Sequence, residues 1–174
     1  MFQSVAVRTG LLCLALSSLS GLAFAQTKVA VINLQKAVLE SNEIKKASTA
    51  LEAKFRPRQQ ELEKLQQEIE RIQQTLQAGQ GKLTPQGEAD LNAEGTRKQT
   101  SLTRRTEDLQ KDVDAERNEI LAKSSKQMQE VVAKMATEKG YDVVVDVSTT
   151  VFFKPALEIT TDAIAAYNTA YPAK

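Results

Sequence analysis

The sequence predicts an α+β chain. It has a small β body of three strands and a C-terminal helix, from which a long antiparallel helical hairpin projects as a coiled-coil arm. Three observations carry this prediction. Two β-branched, two-sided apolar runs lie more than a hundred residues apart, an unbroken heptad stripe fills part of the interval, and a Gly/Pro cluster interrupts it.

Residues 1–25 are set aside first, because they read as a secretory signal peptide. Arg8 is their one charged residue, Leu11 to Leu16 form the apolar stretch, and Ala23-Phe24-Ala25 supply small residues for cleavage between Ala25 and Gln26. The run is too short and too rich in Ser and Gly to span a bilayer comfortably. Leu12 before Cys13 is not the small residue that a lipoprotein signal wants. Loss of Arg8 leaves 22 basic and 22 acidic side chains, and loss of Cys13 leaves no cysteine.

The first strand is expected in Lys28-Val29-Ala30-Val31-Ile32-Asn33-Leu34 and the second in Tyr141-Asp142-Val143-Val144-Val145-Asp146-Val147. Ser148-Thr149-Thr150 make a turn, and Val151-Phe152-Phe153-Lys154 offer a short third strand closed by Pro155. Thr160 is the expected N-cap of the terminal helix, Asp162 favours its positive end, and Ile159 with Ile164 fits a hydrophobic staple. Tyr167 and Tyr171 continue the face that Ile164 begins.

Between the strands, Leu51, Phe55, Arg58, Leu62, Leu65, Ile69, Ile72 and Leu76 follow one another at alternating spacings of 4 and 3. This is a heptad seam with one cation lodged in it. Pro57 inside the pattern is expected to kink or interrupt the helix. Gly79, Gly81, Pro85 and Gly87 break it, and Thr84 with Pro85 restarts it. The returning helix carries a sparser stripe of Leu102, Leu109, Val113, Ile120, Met128, Val131 and Met135, is weakened at Gly95 and ends at Gly140. A hairpin is required, since a single rod would leave the first strand far from the others. The arm is therefore residues 42–139, roughly 55 Å long, with its tip near 79–87. Residues 26–41 and 140–174 form the body, at a size where a domain buries only about 60% of its chain surface. Its strands are apolar on both faces although one helix per chain covers only one, and Val29, Val31, Val143, Val145 and Val147 are the expected oligomerisation residues. Oligomerisation through the body is expected.

The inventory argues against catalysis. The 174 residues include 23 Lys+Arg and 22 Asp+Glu but no His, which removes imidazole as a general base. A net charge of +1 is too balanced for a nucleic-acid binder, and nucleic acid is not an expected partner. Gly79-Gln80-Gly81-Lys82 lacks the remaining residues of a phosphate loop and follows no strand. Asp142 and Asp146, about 13 Å apart along one strand, read as solvent-facing or strand-end charges. The Arg97-Lys98 and Arg104-Arg105 pairs sit near Glu94, Glu107 and Asp108, as on a self-paired, solvated helix face. No enzyme activity, metal or cofactor is expected.

The order of three segments resembles the Skp/OmpH family of periplasmic chaperones. These are Lys28-Val29-Ala30-Val31-Ile32-Asn33, then Phe55-Arg56-Pro57-Arg58-Gln59-Gln60-Glu61-Leu62, then Tyr141-Asp142-Val143-Val144-Val145-Asp146 with Ile159-Thr160. The resemblance covers about Lys28 to Tyr167. It implies a homotrimer with a central β-barrel-like body and tentacle-like arms around a cavity that holds unfolded outer-membrane proteins without ATP. Lipopolysaccharide and anionic lipid are not carried over as partners, because the chain after Ala25 is neutral where well-known members are basic, and the arm tip has only Lys82. A non-catalytic structural or tethering protein of the cell envelope is the alternative, and a hydrolase with a helical insertion would need a constellation that is absent.

Overall fold

β1 (Val29–Ile32) and β2 (Val143–Asp146) pair in parallel, with Val29 opposite Val143 and Val31 opposite Val145. The structure is a computed structural model that describes residues 27–173, so the expected signal peptide and its Ala25–Gln26 junction lie outside the described residues. Between the strands run α1 (Leu34–Glu40), α2 (Asn42–Ala78) and α3 (Pro85–Lys139). After β2 come two 3₁₀ turns, Val147–Thr149 and Pro155–Leu157, and then α4 (Thr160–Ala170).

Local chemistry sets each boundary. Asn33 ends β1 and caps α1 by accepting the Lys36 N–H at 2.9 Å. Ser41, fully buried, ends α1 and caps α2, donating to the Val38 carbonyl at 2.8 Å and accepting from the Ile44 N–H at 3.4 Å. α3 closes on Gly140, whose φ of 66° suits the left-handed cap, and the Tyr141 N–H then reaches back to the Ala136 carbonyl at 2.8 Å. α1 has no counterpart among the sequence expectations, since seven residues are too few for a periodic stripe to stand out.

The strands alternate as the pleat requires. Ala30, Ile32 and Val144 face a core shared with Ala37, Val38, Met128, Val131, Met135, Ile159, Ala163 and Tyr167. The core thus draws on the root of α3 as well as on the flanks of the sheet. On the other face Val29 and Val143 stay exposed, Val145 is half-buried and Val31 is buried.

The two strand-end carboxylates grip the partner strand. Asp142 Oδ2 accepts the Lys28 N–H at 2.6 Å, and Asp146 Oδ2 accepts the Leu34 N–H at 3.0 Å. Asp146 Oδ1 also accepts the Ser148 N–H at 2.8 Å. Hydrogen bonds from Ser148, side chain and then backbone, followed by the one from Leu34, hold the Asp146 carboxyl below its usual range.

Two expectations are corrected. Residues 151–154 form no strand, and among the described residues the sheet has two strands with one further bridge, Val31 to Glu158. The 3₁₀ turns bracket this segment, and the Ile159 N–H occupies the Val31 carbonyl on the outer edge of β1 at 2.8 Å, so among the described residues no free ladder is left beside it. Thr160 is not the N-cap of α4 but its first residue, and Ile159 occupies the cap position without a side-chain bond. The Thr160 hydroxyl instead accepts the Asn33 N–H at 2.9 Å and donates to Glu158 at 3.0 Å, tying α4 to the end of β1.

Asp146→Ala should lower stability by roughly 1–3 kcal/mol, because two backbone donors lose a charged acceptor. A carboxyl with a lowered folded pKa stabilises above its unfolded value near pH 4 and loses that contribution as pH falls through the folded value. Urea unfolding should therefore show a smaller acid-induced drop between pH 5 and pH 2 in the variant than in the native chain.

Candidate functional site

α2 spans 37 residues, which makes it about 55 Å long, and α3 returns alongside it. Cross-helix ion pairs set the direction: Lys54 with Glu116 at 2.5 Å, Arg58 with Asp112 at 2.6 Å, Glu61 with Arg105 at 3.8 Å and Glu68 with Lys98 at 2.7 Å. Partners fall in sequence on one helix as they rise on the other, so the helices are antiparallel.

Of the seam residues, Phe55, Ile69 and Ile72 are buried, and Leu51, Leu62, Leu65 and Leu76 are half-buried. Leu109 is the buried residue of α3 along this stretch, with Leu91, Leu102 and Val113 half-buried. Arg58 does not enter the seam as a buried charge. Its guanidinium leans over the Phe55 ring at 5.7 Å and ends on Asp112. α2 runs through Pro57 without interruption; the exposed proline removes one backbone donor and leaves the helix assignment intact.

The tip is built from the residues that the sequence marks. Gly79 ends α2, Gly81 turns the chain at φ 71°, and Thr84 caps α3 by accepting the Gly87 N–H at 3.1 Å, with Pro85 in the first turn. Leu83 folds back onto Gly79 so closely that a Cβ there would lie 2.6 Å from its Cγ. The Arg97-Lys98 region is partly self-paired, as expected: Lys98 lies 2.7 Å from Glu68 and 3.5 Å from Glu94. The hydrogen bond between Glu68 and Lys98 holds the carboxyl below its usual range and the ammonium above it.

Among the described residues, the exposed large apolar side chains are Val29, Leu39, Val143, Val151, Phe152 and Leu157. All belong to the body and none to the hairpin. Val151 is fully exposed and Phe152 is 81% exposed. Leu39 borders a cleft of about 580 Å³ beside α1, lined also by Leu34, Val38, Leu121 and Val147 with Arg117. Val29 and Val143 thus sit side by side on an open face, while Val31 is packed away and Val147 turns into the cleft wall.

The root of the hairpin carries a polar cluster that periodicity alone does not reveal. Tyr167 is 0% exposed, and its hydroxyl donates to the Glu43 carboxylate and lies 3.0 Å from Gln127 Oε1. Burial first, and then the bond to Glu43, push this phenol up to about 12. The nearby Ser124 hydroxyl pulls the other way, although it makes no well-formed hydrogen bond of its own.

The profile of the OmpH-like outer membrane protein family matches residues 28–167 of this sequence. The chain belongs to the Skp/OmpH family. It is 27% identical over 146 residues to the Skp-like protein of Pseudomonas aeruginosa, covering 84% of this chain and 87% of that protein. Its fold is similar to a crystal structure of an OmpH-like protein from Caulobacter crescentus CB15, with a TM-score of 0.72 and 18% identity over 86% of this chain and 89% of that one. The family is one of periplasmic chaperones. The matched residues run from Lys28, which donates to Asp142, to the buried Tyr167, so the family pattern takes in the sheet, the hairpin and most of α4. No helix among the described residues is long and apolar enough to cross a membrane.

The hairpin of this Skp/OmpH member should respond in opposite senses to two alanines. A Cβ at Gly95 would meet Ile72 Cγ2 at 3.5 Å, an ordinary contact, so Gly95→Ala should stabilise the arm by about 1 kcal/mol. At Gly79 the same atom would also lie 2.9 Å from the Thr75 carbonyl, so Gly79→Ala should cost on the order of 1–2 kcal/mol. Hydrogen exchange along residues 62–109 reads both.

Proposed function

We propose that this chain is an ATP-independent periplasmic holdase that keeps unfolded outer-membrane β-barrel proteins from aggregating, within a cavity bounded by its helical arms. The observation that carries the reading is the division of surface: a long hairpin with its apolar seam turned inward and charged faces outward, and exposed apolar residues confined to the body. Unfolded barrel strands aggregate through alternating apolar side chains and unpaired backbone. Polar walls about 55 Å long keep such a chain apart from others through weak, distributed contacts, where an apolar groove would hold it tightly. Backbone weakness at Gly95 lets the arms adapt to clients of different size.

The body, residues 26–41 and 140–174, serves assembly in this reading. Val29 and Val143 on the open sheet face, and the exposed Val151-Phe152 segment, are too apolar to remain in water and fit burial against other copies, three in the family pattern. Residues 1–25 direct export and are cleaved before Gln26.

Two measurements test the proposal. Light scattering coupled to size exclusion should report a trimer at micromolar concentration, and Phe152→Asp should shift it toward monomer; a folded native monomer contradicts the assembly reading. Deleting residues 60–108 and closing the hairpin with a Gly-Ser turn should leave the trimer intact and abolish suppression of porin aggregation in nucleotide-free buffer. Equal protection by the truncated chain would overturn the cavity. Failure of the full chain to protect porin at all favours the structural-tether alternative.

A further inference from the structure

α4 lies across the base of the hairpin and bonds to both of its helices. Toward α2, the Tyr167 hydroxyl donates to Glu43, and Asn168 Oδ1 accepts the Asn42 N–H at 2.9 Å, one of the donors that a helix start leaves unpaired. Toward α3, the same hydroxyl lies 3.0 Å from Gln127 Oε1, and one turn on, the Tyr171 hydroxyl donates to Glu130 Oε2 at 3.3 Å. The two rings tilt against each other at 5.1 Å between centroids. Lys123 of α3 closes the set, 3.5 Å from Glu43. Beyond these bonds α2 has little hold on the body: Ile44 is its residue in the buried core, next to the Ser41 cap.

We infer that α4 is a clasp that sets the angle at which the arm leaves the body, with the Tyr167–Glu43 hydrogen bond as its catch. One hydroxyl lies between a residue of α2 and a residue of α3, so any splaying or sliding of α2 against α3 must separate it from one of them. Tyr167 is fully buried and the Glu43 side chain is only 25% exposed, so solvent replaces the lost bond less well than on an open surface. The root is therefore either caught or released, in contrast to a helix that bends smoothly along its length. The catch lies some 35 residues of α2 away from the tip, where a small change of angle becomes a large displacement. Tyr167 is thus a positioning residue for the arm. The inference stands whatever the arms hold; on the holdase reading it sets the width of the cavity.

The test uses the full chain without a client. In Tyr167→Phe, hydrogen exchange of amides 42–51 should rise about tenfold, the size of one lost hydrogen bond to a charged group. Amides of β1, β2 and the tip should keep native protection. Glu43→Gln retains an acceptor and should stay closer to native than Tyr167→Phe, Glu43→Leu should reproduce Tyr167→Phe, and combining Glu43→Leu with Tyr167→Phe should add nothing to either. Fluorescent labels at Lys36→Cys and Gln80→Cys, in molecules diluted with unlabelled protein, should show a broader distance distribution when Tyr167→Phe is added. A uniform rise in exchange through the sheet and the arm, an unchanged root, or an unchanged distance distribution would each overturn the clasp. Should Tyr167→Phe not fold, the comparison of Glu43→Gln with Glu43→Leu decides alone. Client protection is measured separately, so failure of the clasp leaves the holdase proposal standing and the reverse also holds.

Discussion

A parallel strand pair whose members lie 114 residues apart forms only if the intervening chain returns to its starting point. Everything else in this structure depends on that closure. The returning segment is a helical hairpin, so the sheet cannot exist unless α2 and α3 lie against each other along much of their length. Asp142 and Asp146 then secure the join at both ends of β1, each with a carboxylate on a backbone N–H of the other strand's side of the closure. The hairpin is thus both the projecting part of the molecule and the link that lets its body fold.

This arrangement places different demands on the two parts. The arm has a one-residue-wide apolar seam, several of whose members are only half-buried, flanked by ion pairs in water that contribute little each. Its local stability is accordingly low for its length, and it opens more readily than the body. The body gathers its buried residues from β1, α1, the first turn of α2, the last third of α3 and α4. Those elements come from distant parts of the chain, so the body is cooperative where the arm is modular. α4 is where the two regimes meet, and the polar cluster around Tyr167 lies on that boundary.

The exposed face shows the same division. Val151 and Phe152 stand in water between two 3₁₀ turns, where no described residue offers them a free ladder. They read as strand in the sequence because β-branched and aromatic residues suit a pleated surface. A strand needs a partner backbone, and the described residues offer none at that place.

The heptad spacing from Leu51 to Leu76, the Gly79–Pro85 break, the Thr84 and Gly140 caps and the two Val-rich strands were all legible from the sequence, since each depends on residues within a turn or two of one another. From these the hairpin follows, and so does the pairing of two strands far apart in the chain. The tertiary structure alone decided the rest. It set the parallel register, gave the Thr160 hydroxyl to Asn33 instead of its own helix, ran α2 unbroken through Pro57, added the short α1 and joined Tyr167 to Glu43 and Gln127. The physical reason is range. Caps and periodic stripes are written in neighbouring residues, whereas a hydroxyl with several acceptors in reach chooses among them only after distant helices have packed.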